Sequence, residues 1–584
     1  MSHLITLDTV NKAISSEKSQ RSVLRAGFWT LAIVLGALQA LAYRFTIATM
    51  DAVAYLDVGD AYARGDWSNA INGYWSPLYS WILGFVFAVL KPTPYWEFPT
   101  LKLVNFLIYL GALISFELFL NELLRCRQAI AASTSRETFQ IPEWVWLVCG
   151  YTLFLWTSLA WIQILTDTPD MLTITMMYIA AAMLLRISMG KLKWSSFVAL
   201  GVALGFAYLS KAVMFPIALI FLGVTLFAAG NLRRALPRVL VALLVFGLVT
   251  GPFVTALSLS KGRFTIGDTG KINYVWFVNP GERLIEDTHW QGSPQYGIPK
   301  HPSRKIHDNP VVFEFATPLG GTYPSWTDPS YWYDGIKAKF DLNKQIAVLV
   351  KNVQFCTIEF FAFLLIFYLI LLALGGRFLP NRAAKQAWWL LLPAAAGLGA
   401  YMIGTDLTLT SYDVQPSTRY LAPFIVLLFT GCFLAVRLPD SAIARKRLTI
   451  VALVVVLIAH GRLLGYAKSN LEEIRIGPPH MYWETVQALQ QMGIQPGDRV
   501  AIEGRDTHIP WARLAHVKIV AETQDEERFW VYSAADRASA LQAIRETGAK
   551  VLVRKRPVIA LDAASREGWQ RVGKTKYYAY LLQK

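Results

Sequence analysis

Long uncharged apolar stretches, separated by short polar breaks, dominate this chain. Residues 31–41, 360–374, 424–436 and 450–459 carry no charge at all. A helix of about 20 apolar residues spans a bilayer core of about 30 Å. Such a span must be helical, because lipid offers no partner to open backbone groups. The pattern predicts about eleven transmembrane helices, near residues 26–47, 99–121, 143–162, 168–186, 194–209, 212–229, 239–258, 353–374, 388–404, 420–436 and 448–465. The expected fold class is therefore a membrane all-α, polytopic helical core with a small C-terminal α/β domain. Residues 1–25 form a cytoplasmic N-terminal segment, 26–465 the core with outer loops 48–76 and 259–352, and 466–584 a soluble domain.

One apolar segment, 77–90, is only 14 residues long. Segments of about 10–14 apolar residues are more often interfacial or re-entrant than spanning. It reads as a helix lying in the outer leaflet, opened by Pro77. After residue 466 the pattern changes. Residues 481–492 and 538–547 have helical periodicity, the second stopped by Gly548, while 499–502, 517–521, 551–553 and 577–582 read as strands. Pro496-Gly497-Asp498 is a turn. No glycine-rich nucleotide fingerprint and no internal repeat is present.

Composition agrees with a membrane protein: 54% of the 584 residues are hydrophobic and only 16% charged. The net charge of +16 is explained by loops rather than by a nucleic-acid face. Lys and Arg favour short cytoplasmic loops. They cluster at Lys12–Arg25, Arg125–Arg136, Lys191–Lys193, Arg233–Arg238, Arg377–Lys385 and Arg437–Arg447. With 77–90 not crossing, all six clusters share the cytoplasmic side, and the two outer loops and the tail share the other. The polar first 26 residues resemble no cleavable signal, so the first span is expected to anchor the chain. Cys126, Cys149, Cys356 and Cys432 fall in or beside spans at no metal spacing, so neither disulfide nor cluster is inferred.

Charges at a membrane boundary are costly unless paired or functional. Four stand at outer ends of spans. Asp51 follows the first span; on a helix it shares a face with Tyr55 and Tyr62, and Asp57 is the next acid. It reads either as a helix-start residue or as a site residue. Asp167, in Thr166-Asp167-Thr168-Pro169-Asp170, reads as a helix cap, a site residue or both. Lys211, at a hairpin between short spans, is either a snorkelling lysine or a rare outer cation. Arg419, before Tyr420, is an interfacial anchor or a phosphate-binding fork. Two carboxylates and two cations are the inventory for moving a group off a lipid phosphate. The cations hold the leaving phosphate and a carboxylate takes the proton of the attacking hydroxyl.

Together, Asp51, the Pro77-Leu78-Tyr79 segment, Thr166-Asp167-x-Pro169, the Lys211 hairpin and Arg419-Tyr420 resemble, in order and sidedness, the GT-C superfamily of polyprenyl-phosphate-dependent glycosyltransferases. The likeness is strongest to the protein O-mannosyltransferase and aminoarabinose-transferase-like branch, over residues 20–465. Many relatives carry a second acid beside the first; here Ala52 follows Asp51. The resemblance implies an inverting transfer of a sugar from a polyprenyl-phosphate donor to a hydroxyl of a lipid, glycan or protein acceptor, on the non-cytoplasmic face of a plasma or inner membrane. It implies Asp51 as base, with Asp167 and Asp57 as catalytic partners. Lys211, Arg419, Tyr55 and Tyr420 would bind substrate. His289, His301, His307 and Asp308 lack zinc spacing, and the branch resembled often needs no metal, so no cofactor is expected. The competing class is a lipid or glycan flippase, but transporters place charges near the bilayer midplane rather than at span ends.

Overall fold

The computed structural model describes residues 7–132, 138–139, 141–279, 297–301, 303–315, 319–331, 335–361, 377–378, 380–408, 417–434, 436–439, 441–504, 509–523, 529–555 and 568–582. Among these, seven helices are long and apolar enough to cross a membrane: Ser19–Ala42, Pro94–Ile130, Glu143–Ile162, Asp170–Ser188, Leu232–Lys261, Ala387–Gly404 and the helix that begins at Ala442. Trp194–Ser210, Met214–Ala228 and Thr418–Leu434 are shorter apolar helices. They coincide with three further expected spans. The remaining one, 353–374, lies mostly outside the described residues; its start continues the helix Leu342–Cys356. The last expected span overruns its forecast end, since the helix Ala442–Ile476 continues well past residue 465 before Gly477 caps it with left-handed φ 66°. No proline precedes Gly477, and Gly461 and Gly465 are accommodated within the helix, so the backbone hydrogen bonds carry on.

Ten strands are described: β1 (Thr138–Phe139), β2 (Arg304–Asp308), β3 (Val311–Glu314), β4 (Arg377–Phe378), β5 (Val436–Pro439), β6 (Arg499–Glu503), β7 (Lys518–Thr523), β8 (Val551–Arg554), β9 (Trp569–Arg571) and β10 (Tyr578–Leu581). They form two sheets. A small sheet, ordered β1-β5-β4, joins three of the basic loops expected in the cytoplasm. The other is ordered β2-β3-β7-β6-β8-β10-β9. Its centre is parallel, β7-β6-β8, with antiparallel edges. The helices Met481–Gln491 and Ala534–Glu546 belong to this domain.

The sequence pattern placed six elements of the tail. It missed that β2 and β3 come from the long outer segment. Sequence periodicity within a strand cannot reveal a partner 200 residues away. The tail is thus not a separate module. Its sheet takes two strands from the loop at 259–352, so loop and tail lie on one side of the molecule. The helix Glu97–Ala132 separates the sheets, spanning about 54 Å at 1.5 Å per residue. At its start Glu97 meets the tail, through Arg513; its far end leads to β1.

Charges in the core are paired near the β1 end. Arg25 bonds Glu117 at 2.6 Å, and the fully buried Glu122 meets Arg186 at 2.8 Å and Arg125 at 2.5 Å. The four inter-span charges recognised at the other end are therefore part of a larger set.

At the tail end, one buried arginine ties three elements together. Arg513 contacts Asp57 at 2.9 Å, Asp60 at 2.5 Å and Glu97 at 3.0 Å. Asp57 also accepts from the Thr322 backbone N–H at 2.6 Å and its hydroxyl at 3.0 Å. Removing one partner of a buried charge set leaves the others uncompensated, at a cost of about 3–5 kcal/mol. Arg513→Ala is therefore expected to lower the thermal unfolding midpoint of the detergent-solubilised protein markedly. Surface Lys468→Ala, whose partner Glu472 is exposed, should leave it unmoved.

Candidate active site

The helix Asp51–Arg64 carries the first acid. Asp51 sits in its first turn, where the helix dipole favours a negative charge. This helix packs on Pro77–Leu90, which has Pro77 in its first turn as expected. The pair approaches closely because both carry glycine at the crossing. A Cβ on Gly84 would lie 2.4 Å from the Gly59 carbonyl oxygen, and one on Gly59 would lie 2.8 Å from that of Ser80. Neither obstacle is a side chain that can swing away. Ser80 also donates to the Tyr55 carbonyl at 3.0 Å. Gly84→Val should therefore push the Asp51 helix off its seat and reduce activity in a membrane assay more than it reduces expression.

Three further elements converge on Asp51. Asp170 opens the helix Asp170–Ser188, and its Oδ2 accepts from the Thr168 hydroxyl at 2.5 Å. Lys211 terminates Trp194–Ser210 in extended conformation; its ammonium donates to Asp170 Oδ1 and lies 4.4 Å from the centre of the Tyr420 ring. Arg419 begins Thr418–Leu434. Its Nε is 3.8 Å from Asp170 Oδ2 and its Nη2 donates to the Tyr420 hydroxyl at 2.7 Å. Tyr420 in turn stacks on Tyr401 at 5.4 Å, nearly parallel. Arg419 is 6% exposed, yet Nε and Nη1 have no hydrogen-bond partner among the described residues. Buried donors normally find partners, and these N–H groups beside an ammonium are free to donate to an oxyanion.

Asp51 is half-buried. Burial pushes its carboxyl pKa above the usual carboxylate range, and Asp170 adds to this. Arg419, the Trp326 indole and Lys211 pull the other way. Tyr55, in ring contact with Trp75 at 5.1 Å and Tyr79 at 5.2 Å, is raised well above its ordinary value by burial and by Asp51 and Asp170. It stays a neutral hydroxyl.

Five of the seven expected site residues thus come together: Asp51, Tyr55, Lys211, Arg419 and Tyr420. Two do not. Asp167 is completely buried, and its oxygens are occupied by Lys102 at 2.5 Å, Asn105 at 3.0 Å and the Ala48 N–H at 3.3 Å. The acid that faces the cations is Asp170, three residues on, because helix geometry begins there and aims its first side chain back into the cleft. Asp57 belongs to the Arg513 cluster, six residues from Asp51 and turned toward the tail. Tyr62, expected to share the Asp51 face, packs instead against Trp67 and Trp81. Sequence reading missed Asp170, Tyr401 and Trp326. Asp170 was legible as the second acid of the Thr-Asp-Thr-Pro-Asp stretch; Tyr401 and Trp326 carried no signal.

No family model and no curated protein matches the chain. Among solved structures it is similar to ArnT from Cupriavidus metallidurans bound to undecaprenyl phosphate. That match has 14% identity and a TM-score of 0.49, covering 95% of this chain and 98% of that one. It is also similar to ArnT from the same organism in the apo state, at 15% identity and a TM-score of 0.42, covering 96% and 98%. The likeness concerns the path of the chain. The chemistry rests on the side chains described above.

Among the described residues, no three His, Cys, Asp or Glu side chains stand close enough to hold a metal ion. His307 instead bridges the Pro310 carbonyl at 2.8 Å and the Ser539 hydroxyl at 3.1 Å, pinning β2 to the tail helix. His289 lies outside the described residues. The site therefore offers one carboxylate with a raised pKa, a second acid locked between two cations, and open guanidinium donors. Such a set can hold a phosphate and deprotonate a hydroxyl beside it.

Proposed function

We propose that this chain is an integral-membrane glycosyltransferase. It moves a sugar from a polyprenyl-phosphate donor to an acceptor hydroxyl on the non-cytoplasmic side. The observation that carries this reading is the open, buried fork of Arg419 beside Lys211 and within electrostatic reach of Asp51. A guanidinium can bind two phosphate oxygens at once. Lys211 adds charge to the leaving phosphate as the glycosidic C–O bond breaks. Asp170 fixes both cations, so they need no rearrangement as charge develops. Asp51 accepts the proton of the acceptor hydroxyl while that oxygen attacks the anomeric carbon from the face opposite the phosphate, inverting it. Tyr55, Tyr401 and Tyr420 wall the cleft.

The charge pattern supports this sidedness. The basic loops gather at the small-sheet end and the site lies at the opposite one, which under the positive-inside tendency supports a site outside the cytoplasm. The test is a membrane transfer assay with a set of polyprenyl-phosphate sugars, scoring a new glycoside by mass spectrometry and its anomeric configuration by NMR. Flux of lipid across proteoliposomes with no covalent product would favour transport instead. Transfer is expected to persist in EDTA. Loss that Mg²⁺ or Mn²⁺ restores would require a metal in the mechanism.

A further inference from the structure

Lys102 is a lysine in the second turn of Glu97–Ala132, 1% exposed, which no motif singles out. Its ammonium donates to Asp167 Oδ1 at 2.5 Å and to the Leu165 carbonyl at 3.1 Å. One turn along, Asn105 donates to the same carboxylate oxygen at 3.0 Å and to the Ile164 carbonyl at 3.2 Å. Asn105 is itself held by the Tyr79 hydroxyl at 2.6 Å, and Tyr79 packs edge-on against Tyr55. The second Asp167 oxygen accepts from the Ala48 N–H at 3.3 Å. One ion pair therefore grips two loops. It fixes the backbone three residues before Asp51 and the backbone three residues before Asp170.

A buried ion pair is weak evidence for stability, because well-packed apolar residues often serve as well. What apolar packing lacks is direction. Three donors converging on one carboxylate set the height and rotation of both loops where they enter the cleft. We infer that Lys102, acting through Asp167, is a positioning residue that sets the separation of Asp51 from Asp170 and so of the base from the phosphate receptor. This rests on the glycosyl-transfer reading above. Lys102 and Asp167 are both buried away from the cleft surface, at 1% and 0% exposure.

The test uses the full-length protein in detergent and in nanodiscs. Lys102→Met with Asp167→Asn removes both charges together, so no buried ion is left alone; Lys102→Arg keeps the charge and alters its reach. Undecaprenyl phosphate serves as a binding probe, and hydrogen exchange is read over residues 44–52 and 163–171. The double variant is expected to unfold within a few degrees of the wild type and to bind the probe with an affinity within about threefold. It should lose kcat by tenfold or more, since misplacement of about 1 Å can cost about 10²-fold in rate. Its acidic limb in the pH–rate profile should move, and exchange should quicken in both segments. Lys102→Arg should show the same change in smaller degree. If kcat falls only in step with the folded fraction, with KM and the pH profile unmoved in both variants, the positioning role is overturned. Should the double variant fail to fold, Lys102→Arg alone decides between the two outcomes. Asp51→Asn run in parallel separates this from the parent reading. An active Asp51→Asn enzyme sinks glycosyl transfer by this site, whereas an inactive one beside an unperturbed Lys102 variant sinks only the positioning claim.

Discussion

Asp51→Asn is expected to abolish transfer, by about 10³-fold or more, with the protein still folded. General-base contributions of a side chain run to about 10²–10⁴-fold. Asparagine has the shape of aspartate and cannot accept the proton. Asp51 is half-buried at the cleft and is not part of the Arg513 or Lys102 networks, so expression and thermal unfolding should hardly change. The same residue sets the pH dependence. Its pKa is raised by burial, and only the ionised form is a base. Activity should therefore fall on acidification at a higher pH than an ordinary carboxylate would give, and rise to a plateau as the group ionises. Most activity surviving in the asparagine variant, or an acidic limb at the position of an exposed aspartate, would defeat the assignment.

Arg419→Lys carries the second large effect, a loss of about 10²-fold or more in kcat/KM, of the size seen when a transition-state donor is removed. The substitution keeps the charge, so it separates fork from charge. Lysine is a point charge on a flexible stem and cannot present two parallel N–H groups. It also gives up the hydrogen bond to the Tyr420 hydroxyl and the contact of the guanidinium with that ring, 4.7 Å from its centre. The donor KM should rise as well as kcat fall, because the phosphate is held in both ground and transition states. Steady-state kinetics with varied donor tests this. Lys211→Met should follow the same pattern more mildly, since Asp170 keeps Arg419 in place. Equal, small effects of both changes would mean that neither cation meets a phosphate.

The sequence announced the spans because lipid leaves a helix only one solution, and ten of the expected spans coincide with apolar helices. It announced Asp51, Lys211, Arg419 and Tyr420 because a charge at the end of an apolar run stands out against its surroundings. It did not separate Asp167 from Asp170. Both flank a proline in a five-residue stretch, and only the direction of the chain entering the helix decides which one reaches the cleft. Lys102 was hidden for the opposite reason, lying inside a span rather than at its end, with a partner 65 residues away. Trp326 and Arg513 were invisible too, since their roles come from the tail packing over the core. A cap that folds across a cleft leaves no periodicity to read.

The sheet shared by the outer segment and the tail has a consequence for biogenesis. β3 pairs with β7, the Phe315 N–H donates to Val520, and the Ile519 N–H donates to the Thr322 carbonyl. Residues 518–523 emerge from the ribosome some 200 residues after the strand they complete. Until the last helix has been inserted and its C-terminal extension has folded, Thr322 has no strand to lie along, Asp57 lacks Arg513, and the wall bearing Trp326 has nothing to lean on. Chains truncated before residue 518 should thus insert every span, yet remain catalytically silent.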